Sequence, residues 1–230
     1  MTVSIQMLLA LSMTIGVYLA AEQLYIKAKK SPLVNPVIIS IFSLMGIITL
    51  LGWDYPQYQS DTQLIHFLLG PATVALAVPL YENMKLIRQM AVPLLLACLS
   101  GAIVASVSAV VIVEWLAQDR LLSLSMSAKS VTTPIAIGMA ESVGGSGSLA
   151  AGLVLLAGAI GTLMLPSVLH LMRLRSDALY GFTLGLTAHG FGTAQAFDRS
   201  VTCGAFAGLS MSLTGVVTAF LVPPLVPWLV

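Results

Sequence analysis

LLSLSMSAKSVTTPIAIGMA, residues 121–140, is an apolar run with a lysine in its middle. If residues 121–128 are helical, Lys129 lies roughly 12 Å in from the segment end at 1.5 Å rise per residue. A bilayer's hydrocarbon core is about 30 Å thick, so the charge sits near mid-depth. A cation there costs at least about 2.5–3.5 kcal/mol on insertion scales. Ser130, Thr132, Thr133 and Pro134 follow it at once. Lipid offers such a group nothing, so it must meet protein, water or a substrate.

The rest of the chain makes the membrane reading unavoidable. Of 230 residues, 58% are hydrophobic and only 8% charged, and mean hydropathy is +0.98. A soluble domain carries about 25% charged residues. The net charge of +1 gives no bulk field for nucleic acid. Cys98 and Cys203 lie in apolar runs and read as packing residues, neither a disulfide nor a metal pair. The first apolar run has no basic residue before it and reads as a retained span rather than a signal peptide. No polar interval is long enough for a receptor ectodomain, a kinase or a large catalytic appendage.

Eight apolar segments follow one another at about 3–22, 33–52, 63–82, 90–116, 121–141, 148–171, 178–197 and 204–229, by a window of about 19 residues. Their connections are short, as in KAKKSP, YENMKLIRQ and RLRSD. The expectation is an all-α, polytopic helical bundle, a single integral membrane domain over 1–230, with seven or eight spans. Trp53, Trp115 and Trp228 stand at segment edges as interfacial anchors.

Basic residues orient the bundle. Lys27, Lys29 and Lys30 place the end of the first segment in the cytoplasm, and Lys85 and Arg88 fall inside again. Eight full spans would then put Arg173 and Arg175 outside. If 121–141 enters and returns to the same side, they come back to the cytoplasm. The Lys129 segment is therefore either re-entrant or broken, or the charge rule is violated at one loop. With the re-entrant path, 33–116 and 148–229 run in opposite orientations, the pattern of an inverted repeat.

Segments 63–82, 121–141 and 178–197 share a signature of Pro or Gly with small polar residues at mid-depth. The first holds Gly70, Pro71, Thr73 and Pro79; the last holds Thr187, His189, Gly190, Gly192 and Thr193. Their midpoints, Gly70, Lys129 and Ala188, recur 59 residues apart. Proline removes a backbone donor and frees a carbonyl. Unwound backbone survives in a membrane only where protein or a water-filled cavity satisfies it. Transporters use such breaks to aim half-helix N-termini at an anion near the midplane.

Lys129 with Ser130, Thr132 and Thr133 is one cation and three hydroxyls, the donors a small carboxylate needs. The competing reading has Lys129 snorkelling and the hydroxyls bonding their own helix. His189, flanked by glycines and threonines, either relays protons or binds a carboxylate, or packs against a neighbouring carbonyl. Pro71, Thr73 and Pro79 fit a helix break and also a kinked packing helix. A lone histidine without further ligands at metal spacing argues against a metal, and no cofactor motif stands out. No Ser–His–Asp order or paired carboxylate speaks for an enzyme.

HFLLGPATVALAVPLYEN (66–83), AKSVTTPIAIGMAE (128–141) and GLTAHGFGTAQAF (185–197) resemble the hallmark segments of the LrgB/CidB family. The three motifs occur in order, and the likeness covers most of the chain. It implies a bacterial inner-membrane protein, often paired with a small holin-like protein of the LrgA/CidA type and described as an antiholin-like modulator of murein hydrolases and autolysis. Plastid relatives are glycolate/glycerate translocators, and some bacterial members are linked to pyruvate uptake. Carried over, the binding positions are Lys129, Ser130, Thr132, Thr133, His189 and Thr193. The helix-break and gating positions are Gly70, Pro71, Thr73, Pro79, Pro134, Gly190 and Gly192. Two positions depart from the family pattern: Ala128 stands where proline often precedes the lysine, and Gln195 where an arginine often follows GTA.

Two expectations from different classes result. One is a secondary transporter of small monocarboxylates, with Lys129 attracting the carboxylate, working as a homodimer in lipid. The other is a regulatory membrane subunit that controls a holin-like partner and hence lysis.

Overall fold

The computed structural model describes residues 4–29, 31, 34–75 and 77–230, with the side chains at 66, 69, 70, 72, 73, 79 and 227 set aside. Twelve α-helices and no strand occur among the described residues. The chain forms two compact units, Met1–Ala77 and Val78–Val230.

In the first unit, α1 (Ile5–Lys27) starts at Ser4, whose hydroxyl accepts from the Met7 N–H at 3.0 Å. α2 (Pro36–Leu50) starts with proline at its first position, where no N–H is needed, and Asn35 caps the next two donors. α3 (Tyr55–Asp61) lies on α1, with the Tyr58 and Thr14 hydroxyls 2.6 Å apart. α4 (Gln63–Ala75) follows and runs through Pro71.

The second unit carries all but the first residue of α5 (Ala77–Glu82), then α6 (Met84–Gln89) and the long α7 (Ala91–Ala117). α7 stops at Gln118, which adopts the left-handed conformation with φ 51°. The chain then turns back: Asp119 caps α8 (Arg120–Met126), and the Ser123 hydroxyl donates to Glu114 of α7 at 2.8 Å. Residues 127–132 are non-helical, and α9 (Thr133–Ser142) leads out. The Ser146 N–H, at the start of α10 (Gly147–Leu171), donates to the Ser125 hydroxyl at 2.8 Å across 21 residues of sequence. A straight helix would separate those residues by about 31 Å. The segment therefore enters and returns, the path that agrees with the loop charges.

The element labelled α11 (Asp177–Arg199) does the same more sharply. Arg199 Nε lies 2.7 Å from Asp177 Oδ1, although 22 residues separate them. An unbroken helix would hold them about 33 Å apart. The reversal is at His189, with φ 40° and ψ −122°, so 177–188 and 190–199 are two arms of a second helical hairpin. Glycines 190 and 192 were the expected breaking points; the turn instead falls on the histidine. α12 (Val201–Leu225) then leads away, capped by Ser200.

Four helices are long and apolar enough to cross a membrane among the described residues: α1, α7, α10 and α12. This is fewer than the seven or eight spans expected. α2 has 15 residues, about 22 Å, and segment 63–82 is divided between α4 and α5. Segments 121–141 and 178–197 fold back on themselves. Because α10 spans between the mouths of the two hairpins, the first hairpin opens at the α7 end of α10 and the second at the α12 end. They enter from opposite sides.

The core of the second unit is built on small residues, as expected where lipid removes any hydrophobic preference between helices. Leu184 and Ala196, from the two arms of the second hairpin, pack with Cys203 and Ala207 of α12. Val110, Leu124, Ala128, Val131 and Ala136 pack with Val154 and Val222 around the first hairpin.

Candidate functional site

The two hairpin tips share neighbours. Val131 in the first tip belongs to the same buried cluster as Val154 of α10. The Val154 carbonyl in turn lies 3.2 Å from Nε2 of His189, at the second tip. Val154 and Gly158 are near the middle of α10. A Cβ on Gly158 would fall 2.8 Å from Cε1 of His189, so glycine there makes the notch that seats the ring. α12 repeats the arrangement. Thr193, from the second hairpin, lies 3.7 Å from the Met211 sulfur, and Ile135, from the first, packs against Gly215 one turn on. Both tips therefore meet the central turns of the same two spanning helices.

The first tip carries unengaged polar groups. In its ascending arm every buried hydroxyl is used: Ser123 by Glu114, Ser125 by the Leu121 carbonyl, Ser127 by the Leu124 carbonyl. Beyond Ser127 this stops. Lys129, Ser130, Thr132 and Thr133 are all half-buried, and among the described residues none of their side chains has a hydrogen bond or ion pair. Glu141, the one carboxylate of the segment, is exposed at the far end of α9. Thr132 starts α9 without capping it through its side chain, and Pro134 lies in the first turn, where its missing N–H costs nothing. α9 and residues 190–199 both begin at a tip, so two helix N-termini with their partial positive charge lie at mid-depth.

The second tip is more fully engaged than the first. The Thr193 hydroxyl donates to the His189 carbonyl at 2.9 Å, so its single proton braces the turn. Gly192 lets the returning arm pack against the Leu184 carbonyl of the other arm, whereas Gly190 faces open space. Phe191 meets the His189 ring edge-on, centroids 5.9 Å apart. Gln195 has a buried Oε1 without a hydrogen-bond partner, and Ala128 is fully buried. Pro71 is an exposed residue inside α4 of the first unit; Gly70, Thr73 and Pro79 lie outside the described side chains. A wide cleft of about 660 Å³ opens in the first unit, lined by Thr14, Gln59, Ser60, Thr62 and Gln63. None of its described lining residues is a cation, which makes the first tip the better place for an anion.

Sequence reasoning missed the pieces that hold the tips: Val154 and Gly158 on α10, Met211 on α12, and a clasp at the mouth of the second hairpin. There Asp177 accepts from Arg199 and, at 2.7 Å, from the Ser200 hydroxyl, while the guanidinium stacks 4.1 Å over the Tyr180 ring. Opposite charges flanking the 178–197 segment were the available signal. The Ser200 and Arg199 hydrogen bonds hold the Asp177 carboxyl below its ordinary pKa. A depressed carboxylate stabilises the fold above its unfolded pKa of about 3.9, and that contribution fades as pH falls through the lower folded value. The pair is more than a third exposed, so Arg199→Ala should cost no more than about 1 kcal/mol. Thermal unfolding at pH 7 and near pH 3 checks this: the difference between wild type and Arg199→Ala should shrink at the lower pH.

The LrgB-like family profile matches residues 14–228. YwbG of Bacillus subtilis (strain 168), itself named an uncharacterized protein, is 33% identical over 218 residues, 94% of this chain and 96% of the relative. YxaC of the same organism is 34% identical over 217 residues, 94% of each chain. A protein named holin-like protein CidB, from Staphylococcus aureus (strain N315), is 26% identical over 222 residues, 96% of each chain. No solved structure matches.

Proposed function

The chain belongs to the LrgB-like family, and we propose that this multi-pass membrane protein is a secondary transporter of small monocarboxylates of the glycolate, glycerate or pyruvate type. One observation carries the reading: a cation and three hydroxyls without partners among the described residues stand at the tip of a re-entrant hairpin. Such a group is costly at mid-depth unless an anion or water meets it. Lys129 attracts the carboxylate, and Ser130, Thr132 and Thr133 donate hydrogen bonds to it. The N-terminus of α9 adds its dipole. His189 and Thr193 form the opposite wall. Transport of this kind requires no covalent chemistry, so the proposal gives the protein no enzymatic role.

Two hairpins entering from opposite sides and meeting on α10 suit alternating access, because each tip faces one compartment and a site between them can be uncovered from either. The opposed repeats 33–116 and 148–229, a homodimeric assembly and a place in the bacterial inner membrane belong to the same proposal. Purified protein in proteoliposomes should show saturable, counterflow-stimulated glycolate or pyruvate uptake. Absence of uptake for the whole acid series would reject the reading.

The relatives named holin-like protein CidB favour a second reading, a regulatory subunit acting with a small LrgA/CidA-like membrane partner on murein hydrolase activity. A lysis phenotype that persists in transport-dead point variants would support it over transport.

A further inference from the structure

The transporter reading leaves open what His189 does, and its surroundings answer that. Nε2 faces the Val154 carbonyl at 3.2 Å. A carbonyl oxygen only accepts, so Nε2 must carry the proton. In the neutral imidazole the other nitrogen, Nδ1, then holds a lone pair. The ring cannot easily turn to exchange the two. It sits in the Gly158 notch, where a Cβ would lie 2.9 Å from Nε2, and against the edge of Phe191. The backbone beneath it has φ 40°, a conformation that is strained for a non-glycine residue and persists where the surroundings over-determine it. The hairpin tip thus holds a buried ring in one fixed tautomer.

Resting on the carboxylate site proposed above, we propose that His189 is a specificity-determining residue whose Nδ1 lone pair accepts a hydrogen bond from a hydroxyl on the substrate. The two hairpins then have complementary roles. The Lys129 tip supplies donors, which suit the carboxylate. The His189 tip supplies an acceptor, which suits a hydroxyl on the neighbouring carbon. A 2-oxo acid has no donor there, and its carbonyl oxygen would face a lone pair with a lone pair. The site therefore distinguishes 2-hydroxy from 2-oxo monocarboxylates, since a binding site built to pair with a hydroxyl discriminates against the analogue that lacks it.

Lactate and pyruvate differ only at that carbon and are the probes. With the full chain in proteoliposomes, lactate should compete for uptake about tenfold or more better than pyruvate, the effect expected of one unpaired buried polar group. His189→Gln can still donate to the Val154 carbonyl but places no acceptor at the Nδ1 position, and should bring the ratio close to one. Gly158→Ala, which displaces the ring without removing it, should lower the ratio as well. Nitrogen-15 NMR of the histidine-labelled wild type needs no variant: of three histidines, His189 should show a protonated ε nitrogen and an unprotonated δ nitrogen. Equal or better competition by pyruvate, a δ-protonated ring, or a lactate preference that survives in His189→Gln overturns this assignment while leaving the transporter reading intact. Failure of both acids, and of every other carboxylate, to bind or compete overturns both.

Discussion

Lys129→Ala should weaken carboxylate binding by about 10- to 100-fold while leaving the protein at least as stable as wild type. The first half follows from what the lysine offers. A hydrogen bond to a charged group contributes about 1.5–3 kcal/mol, and 1.4 kcal/mol is about a factor of ten in affinity. The three hydroxyls and the α9 N-terminus remain, so binding is weakened rather than abolished. The second half follows from what the lysine lacks. It is half-buried in the turn 127–132 and has no ion pair among the described residues. Removing it breaks no bond and relieves an insertion cost of at least about 2.5–3.5 kcal/mol. Opposite movements of affinity and stability mark a residue retained for function. Lys129→Arg keeps the charge but exchanges a compact ammonium for a wider planar fork, and should fall between the two. Binding measured by ligand-dependent thermal shift reads both quantities in one titration, because a ligand stabilises only as far as it binds the folded form. A Lys129→Ala protein that loses stability and keeps its affinity would show that the lysine is a structural group and that the anion site lies elsewhere.

The path of the first hairpin was legible from the sequence because two signals of different kind agreed on it. Lys129 is expensive in the middle of a span, and Arg173 and Arg175 come back to the cytoplasmic side only if that segment returns. The hydroxyls beside it were legible for the same reason. The second hairpin was half legible. Glycines and threonines around His189 announce a weak helix, but glycine tolerates many conformations and does not say where the chain reverses. The reversal falls on His189, with φ 40°, because the ring is held by Val154 and Gly158, residues about thirty positions away in sequence. Long-range seating of this kind has no local signature. Thr193 shows the same limit: the third family motif offers it as a ligand, yet its proton is used within its own turn of helix. The number of full-length spans was overestimated since a hydropathy window registers apolar length and cannot tell a crossing from an entry and return.

Gly185→Val should prevent the second hairpin from docking on α12, and the loss should exceed about 3 kcal/mol, the upper end of ordinary overpacking. A Cβ on Gly185 would overlap the Ala207 carbonyl, and one on Gly181 would overlap the Cys203 carbonyl. These are backbone atoms of α12 and cannot rotate aside. The two glycines are four residues apart, one turn of the same face, so together they bring the 177–188 arm against α12 at backbone distance. Nothing else in the environment can replace that contact, because lipid competes equally well for any apolar side chain and close approach of backbones is what distinguishes the docked state. If the arm lifts, Leu184 and Ala196 leave their cluster with Cys203 and Ala207. Gly152→Ala is the matched control. It lies in α10 with nothing within 4 Å of the added atom, and replacing a helical glycine by alanine should raise stability by roughly 0.5–1 kcal/mol. Thermal unfolding of both variants in the same detergent separates the cases: a large fall in Tm and in folded yield for Gly185→Val, no fall for Gly152→Ala. Should Gly185→Val unfold like wild type, the arm does not lie against α12, and the seat of His189 would have to be sought without it.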